Sequence, residues 1–324
     1  MQSVLRRSLA SVGVLATVVA LAACGSSSSS SSSASSSGSS SSSSGGASAS
    51  LPGKGKPPIT IGDKNFTEEF ILGDLYSQAL RAKGYTVNLK PNIGSSELTD
   101  KALTSGQIQM YPEYTGVILS VLAMQTRRPA SEDAAYAAAQ KFEQSRGYVL
   151  LDKTPFFDAD ALATLKPFAQ KNHLTTMVDL KKLKSFSLGA PPENKTRYEG
   201  LVGMREAYGI TNVKFVPLTI GLQYSALDSG NVDTANVFTT DGQLQSGKYV
   251  ILSDPKHIYG FQNVAPVVSK KLLASEGSAF AATLNAVSAK LTTHVMQQLN
   301  AAVDIDKVDP ATVASKFLKA NGLT

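Results

Sequence analysis

Residues 102–106 read ALTSG and residues 226–230 read ALDSG, 124 positions later. The same offset pairs Ile108 with Val232, Tyr114 with Phe238 and Thr115 with Thr239. Five positions are identical: Ala102/Ala226, Leu103/Leu227, Ser105/Ser229, Gly106/Gly230 and Thr115/Thr239. Both copies read as a helix, a glycine stop, a strand, then an aromatic followed by threonine near a glycine, Gly116 or Gly242. ALxSG alone is a common helix ending and coincidence would explain it. The match continues into the strand and its closing ring, which favours a duplicated unit.

The rest of the body alternates strand and helix. Residues 59–62, 85–93 and 108–114 read as strands. The helices between them start near Thr67 and near Ser95 or Ser96 and stop at Gly84 and Gly106. Residues 186–192, 213–218, 232–238 and 249–254 read as further strands, and 132–146 as an alanine-rich helix. The last 50 residues are helical, with Leu284, Val287, Leu291, Val295 and Leu299 on one stripe. Asp309–Pro310 opens the final helix and Asn321–Gly322 ends it. This rhythm predicts an α/β fold with mostly parallel sheets. In such sheets ligands sit beyond the carboxyl ends of the strands. Tyr114 and Phe238 both stand at such ends. Two lobes facing each other would bring both rings to one cleft, the geometry of a hinge-closing binder.

The amino terminus bears on compartment. Arg6 and Arg7 precede an uncharged apolar run at 8–22, and LAAC follows at 21–24. This is a secretory signal with a small-residue cleavage site, and it resembles a bacterial lipobox in which Cys24 receives lipid, with an ordinary signal and a chance cysteine as the lesser alternative. Cys24 is the only cysteine, so an intrachain disulfide is impossible. Residues 25–57 are serine-rich to about position 50, too polar to order themselves, and read as a tether. The net charge of +6 falls to +4 without Arg6 and Arg7. No basic run interleaved with aromatics points to nucleic acid. His173, His257 and His294 are scattered without ligand spacing, so no metal is expected, and no cofactor. Neither G-x-S-x-G nor H-E-x-x-H occurs.

The segments KNFTE (64–68), PEYTG (112–116), ENKTRYEG (193–200) and TTDG (239–242) lie within a longer likeness over nearly all of 58–324. Together they resemble the substrate-binding proteins of ABC importers for osmoprotectants: glycine betaine, choline, carnitine and proline betaine. The resemblance implies two α/β lobes of the periplasmic-binding-protein type with two crossovers. It places lobe 1 at 58–158 and 264–324, and lobe 2 at 159–263. It also implies an aromatic cage for a quaternary ammonium, which has no N–H to donate and is held by ring faces. Basic side chains would grip the ligand's carboxylate.

Carried over position by position, the resemblance puts Lys64 and Arg197 at carboxylate contacts and Tyr114 at the first cage ring. Val117 stands where a threonine is usual and has no hydroxyl to offer. Asp160 stands at the second ring, Phe238 at the third, and Gln262 near the fourth, with Tyr259 and Phe261 adjacent. Asp160 either attracts a cation or pairs with Arg197. Tyr111 reads as packing, and Glu113 as a solvated or capping acid or as part of the site. Thr239–Gly242 reads as a turn holding Phe238. The half-converted cage suggests a cationic or amphipathic solute, choline-like or larger, rather than glycine betaine. The expected protein is a monomer, lipid-anchored on the extracytoplasmic face of a bacterial membrane. It captures solute by closure, bridging Tyr114 and Lys64 to Arg197 and Phe238, and delivers it to a permease. The rivals are a sensory or adhesive surface lipoprotein and, further off, an envelope hydrolase.

Overall fold

The computed structural model describes residues 50–324. The signal segment, Cys24 and nearly all of the serine tract lie outside the described residues. Ten strands fall into two sheets. They are β1 Ile59–Gly62, β2 Val87–Lys90, β3 Met110–Tyr114, β4 Tyr148–Leu150, β5 Asp160–Leu165, β6 Phe186–Ala190, β7 Val213–Pro217, β8 Thr234–Phe238, β9 Tyr249–Leu252 and β10 Val264–Ser269. The main helices are α1 Thr67–Ala82, α2 Ser96–Thr104, α3 Glu132–Ser145, α4 Gln223–Asp228, α5 Ser278–Ser288, α6 Thr293–Asp304 and α7 Pro310–Ala320.

One sheet runs β2-β1-β3-β10-β4 and the other β7-β6-β8-β5-β9. The first becomes the second by exchanging β1 for β6, β2 for β7, β3 for β8, β10 for β5 and β4 for β9. The offset seen in the sequence is therefore structural: β3 and β8 cover positions 110–114 and 234–238, again 124 apart. The helix endings before them match bond for bond. Gln107 N–H donates to the Ala102 carbonyl at 2.9 Å, and Asn231 N–H to Ala226 at 2.9 Å.

The sheets are mixed rather than mostly parallel. β10 runs antiparallel to β3, and β5 antiparallel to β8. The reason is topological. Each of these strands enters its sheet from the other lobe, beside the carboxyl end of its neighbour, so Val264 pairs with Tyr114 and Asp160 with Phe238. A strand entering there can only run back. The two crossovers lie side by side, with an antiparallel bridge between Phe157 and Asn263 and a bond from Asp158 N–H to the Gln262 carbonyl at 3.2 Å.

The first sheet's core joins Ile71, Leu72, Leu75 and Leu80 of α1 to Phe280, Leu284, Val287 and Leu318 of the carboxyl-terminal helices. Each such side chain, fully buried, contributes roughly 1.5–3 kcal/mol. The predicted stripe is broken by a helix boundary. Thr292 caps α6 by accepting from Val295 N–H, so Leu291 packs between helices rather than within one. Asp309 caps α7 as expected, accepting from Thr312 N–H. Thr67 is not the cap of α1: Phe66 holds that position, and the Thr67 hydroxyl donates instead to Asp304 Oδ1 of α6 at 2.6 Å.

Gly106 and Gly230 sit at φ +77° and +72° in equivalent turns, with open space where a Cβ would stand. Their role is thus conformational alone. Gly106→Ala and Gly230→Ala should each destabilise by about 1–2 kcal/mol, the cost of a left-handed alanine, and by equal amounts. Urea unfolding of the two variants measures this, and a clear inequality would break the equivalence of the repeats.

Candidate functional site

A crevice between the two sheets is lined by Lys64, Tyr114, Val117, Asp160, Arg197, Phe238 and Gln262 together with Phe66, Asp158, Asn194, Asn236 and Glu193. All seven positions singled out from the sequence meet there. Their geometry departs from a simple cage in four ways.

The first is Phe66. Its ring stacks on Phe238 at 5.5 Å and 13°, and on Tyr114 at 6.2 Å and 25°. Tyr114 and Phe238 do face one crevice, and a third ring stands between them. Centroid separations of this size are those of direct ring packing, so the stack is filled by its own members. Phe66 lies inside KNFTE, where the sequence pattern alone assigns it no role. Its place next to Lys64 on the approach to α1 was the available signal.

The second is Lys64. It is 2% exposed. Its ammonium lies 2.5 Å from Glu113 Oε1 and 3.5 Å from Glu69 Oε1, and 4.2 Å from the centre of the Tyr114 ring. Glu113 is fully buried, so it is not a solvated acid. Tyr111 is buried too and packs in the core, as expected.

The third is Arg197. Its guanidinium takes Glu97 in a forked pair, Nε to Oε1 at 3.2 Å and Nη2 to Oε2 at 2.8 Å. Burial raises the Glu97 carboxyl, but Arg197 more than offsets this and holds it down at about 2. Asp160 is not the partner of Arg197. It accepts from Asn236 Nδ2 at 2.8 Å. Burial, helped by the charge of Glu199, pushes it up to about 7. Asn236 shares a face of β8 with Phe238, two residues on, and strand alternation would have placed it in the crevice.

The fourth is Gln262, which is a strut rather than a cage wall. It accepts from Val117 N–H at 3.0 Å and donates to Glu199 Oε1 at 3.0 Å and to the Tyr259 carbonyl at 2.9 Å. A Cβ on Gly116 would lie 2.6 Å from its side chain and from the Phe261 carbonyl, so glycine at 116 is what lets Gln262 reach the strand.

Behind Tyr114 lies Glu68, 3% exposed. It accepts from the Tyr114 hydroxyl at 2.7 Å, from Thr240 Oγ1 at 2.6 Å and from Asn300 Nδ2 at 2.9 Å. Burial raises its pKa against these three donors. Asp158 is pushed well up by burial and by the charge of Glu68. The expected turn after Phe238 is present: Phe238 N–H donates to Asp241 Oδ2 at 2.9 Å.

Similarity to known proteins adds a frame. The family model "Substrate binding domain of ABC-type glycine betaine transport system" matches residues 57–320. The chain is 32% identical over 277 residues to the glycine-betaine-binding protein of Pseudomonas aeruginosa, covering 82% of this chain and 88% of that one. It is 28% identical over 293 residues to the glycine betaine-binding protein YehZ of Escherichia coli, covering 86% and 95%. Among solved structures, a glycine betaine/carnitine/choline ABC transporter protein superposes with a TM-score of 0.66 at 26% identity, covering 82% of this chain and 99% of that one.

Burial pushes Asp63, Glu143, Asp160 and Asp241 each up to about 7. Above about pH 4 the unfolded chain has released protons that the fold retains. Stability should therefore fall as pH rises from about 4 to about 7. Glu97, held low, titrates below that window and does not mask the trend. Scanning calorimetry should give a higher Tm near pH 5 than near pH 8, with a smaller difference in Asp160→Asn. A Tm that climbs over this interval would contradict the assignment.

Proposed function

The chain belongs to the substrate-binding domains of ABC-type glycine betaine transport systems, and from that premise we propose that its crevice takes a quaternary ammonium solute lacking a carboxylate, choline-like rather than glycine betaine. Members of this family are solute-binding components of importers and catalyse nothing themselves. The carrying observation is one of charge. The two basic side chains expected to grip a ligand carboxylate are each already held by a carboxylate of the protein, Lys64 by Glu113 and Glu69, Arg197 by Glu97. A zwitterion would have to displace one of them. The other charged side chains lining the crevice, Asp158, Asp160 and Glu193, are acids. A ligand carboxylate finds no free cation there, whereas a bound cation would draw the proton off Asp160, whose pKa of about 7 makes it easy to ionise; with Phe66 turned out of the stack, the faces of Tyr114 and Phe238 offer that cation roughly 0.5–2 kcal/mol each once desolvated.

In this reading 58–158 with 264–324 and 159–263 are the bodies that close, hinged at the paired crossovers. Arg197–Glu97 at the crevice mouth, Ser120 Oγ on Glu199 Oε1 at 2.5 Å and Thr240 on Glu68 span them. Lys64 steadies Tyr114 from beneath, Val117 and Gln262 fix the hinge side, and Asp160 supplies the counter-charge. A ligand that touches both bodies shifts the population toward closure, and the closed form presents solute to the permease. We further read Cys24 as the lipid-bearing first residue of the mature monomer, with the serine tract as its leash on the extracytoplasmic face.

Calorimetric titration of residues 50–324 should give choline a Kd at least tenfold below that of glycine betaine, with carnitine between them. Equal or tighter binding of glycine betaine would overturn the ligand assignment. In cells, Cys24→Ser should move the protein from the membrane fraction to the medium or periplasm. Retention at the membrane would remove the anchor.

A further inference from the structure

Behind the Phe66–Phe238 pair lies a second cavity of about 110 Å³. Both rings border it, and so does Asp158, so it abuts the ligand crevice across an aromatic partition. Its other walls include Glu68, Phe70, Tyr224, Asp241, Gln243, Asn300 and Asp304. No lysine or arginine lines it. Two cations stand outside its walls: Lys307, whose ammonium binds the Asp304 carbonyl at 2.7 Å, and Lys64, 5.6 Å from the centre of the Phe66 ring and already held by Glu113 and Glu69.

The hydrogen-bond inventory of this chamber is one-sided. Its hydroxyls are spent on its own acids: Thr67 on Asp304, Tyr224 on Asp241 and Thr240 on Glu68. Asn300, 3% exposed, gives its amide hydrogens to Glu68 and to the Thr240 carbonyl. What remains unfilled is acceptor capacity. Asn300 Oδ1 and Gln243 Oε1 are buried atoms without a partner, and a donor brought to them would meet an otherwise unmet need.

We propose that this chamber is a second subsite for an organic cation that bears N–H donors, an ammonium or guanidinium group, so that the full site favours a solute with cationic groups at both ends. The inference rests on the quaternary-ammonium reading of the first cavity. The two chambers then divide the labour by chemistry. The first, with three rings, suits a cation that cannot donate. The second, with carboxylates and two idle carbonyl oxygens, suits one that must donate. Phe66 is the partition: a ligand spanning both cavities has to turn its ring out of the stack.

The test is a titration series of ω-aminoalkyl-trimethylammonium ions of increasing chain length, each against its hydroxyalkyl counterpart, with choline as reference. At the chain length that reaches the chamber, the amino compound should bind at least tenfold tighter than the hydroxy compound. Asp304→Asn removes a carboxyl group from the chamber alone and leaves an amide oxygen to accept from Thr67, and Gln243→Leu removes an idle acceptor. Each should cut that advantage several-fold and leave choline binding unchanged. No advantage at any length, or one that survives both substitutions, overturns the second subsite while choline still binds. Failure of choline and every other trimethylammonium ion to bind overturns the reading of the first cavity and the second subsite with it.

Discussion

Glu68 carries a carboxylate into the interior at the point where the two lobes meet. Burial there costs several kcal/mol unless the oxygens are fully occupied. They are occupied by donors from three separate places: Tyr114 at the end of β3, Thr240 just after β8, and Asn300 on α6. The first and third belong with the first sheet, the second with the other. One buried group thus ties the orientation of a cage ring to the contact between lobes. Any parting of the two sides would break the Thr240 bond and expose Glu68 to water, which the burial of this carboxyl opposes.

The same logic governs the other polar groups of the crevice. Lys64 is buried and would be costly alone, and Glu113 and Glu69 compensate it while Tyr114 covers its charge. Arg197 and Glu97 sit closer to solvent and match each other as a planar fork. Charges arranged so that each is answered within the protein leave the ligand to be chosen by what is surplus. The surplus is aromatic, with carboxyl groups and no free lysine or arginine among the lining side chains.

Much of this was legible in the sequence because it is written in period and position. A repeat offset of 124 carries two strands and their closing rings onto each other, and the structure places both at one crevice. Strand alternation would have added Asn236. What could not be read is pairing. That Lys64 finds Glu113, that Arg197 finds Glu97 rather than Asp160, and that Gln262 braces Val117 are facts of side-chain reach across 49, 100 and 145 positions of chain. Periodicity says which face a residue takes, and it is silent on which of several acids within reach a cation chooses. The antiparallel turn of β5 and β10 was hidden for a related reason. It follows from where the chain crosses between lobes, and that is decided by the pairing of Phe157 with Asn263.

Phe66 brings these strands together. It precedes the first turn of α1, whose next two residues are Thr67, bound to Asp304, and Glu68. Its backbone is thereby anchored, and its ring is held by packing on the first core and by two stacked partners, worth about 0.5–1.5 kcal/mol per aromatic pair. That is comparable to what one ring gains by facing a desolvated cation instead. A cation facing the ring would therefore offset much of what breaking one stacked pair costs. The bonds from Thr240 to Glu68 and from Arg197 to Glu97 tie the two sides of the crevice together on either side of that ring.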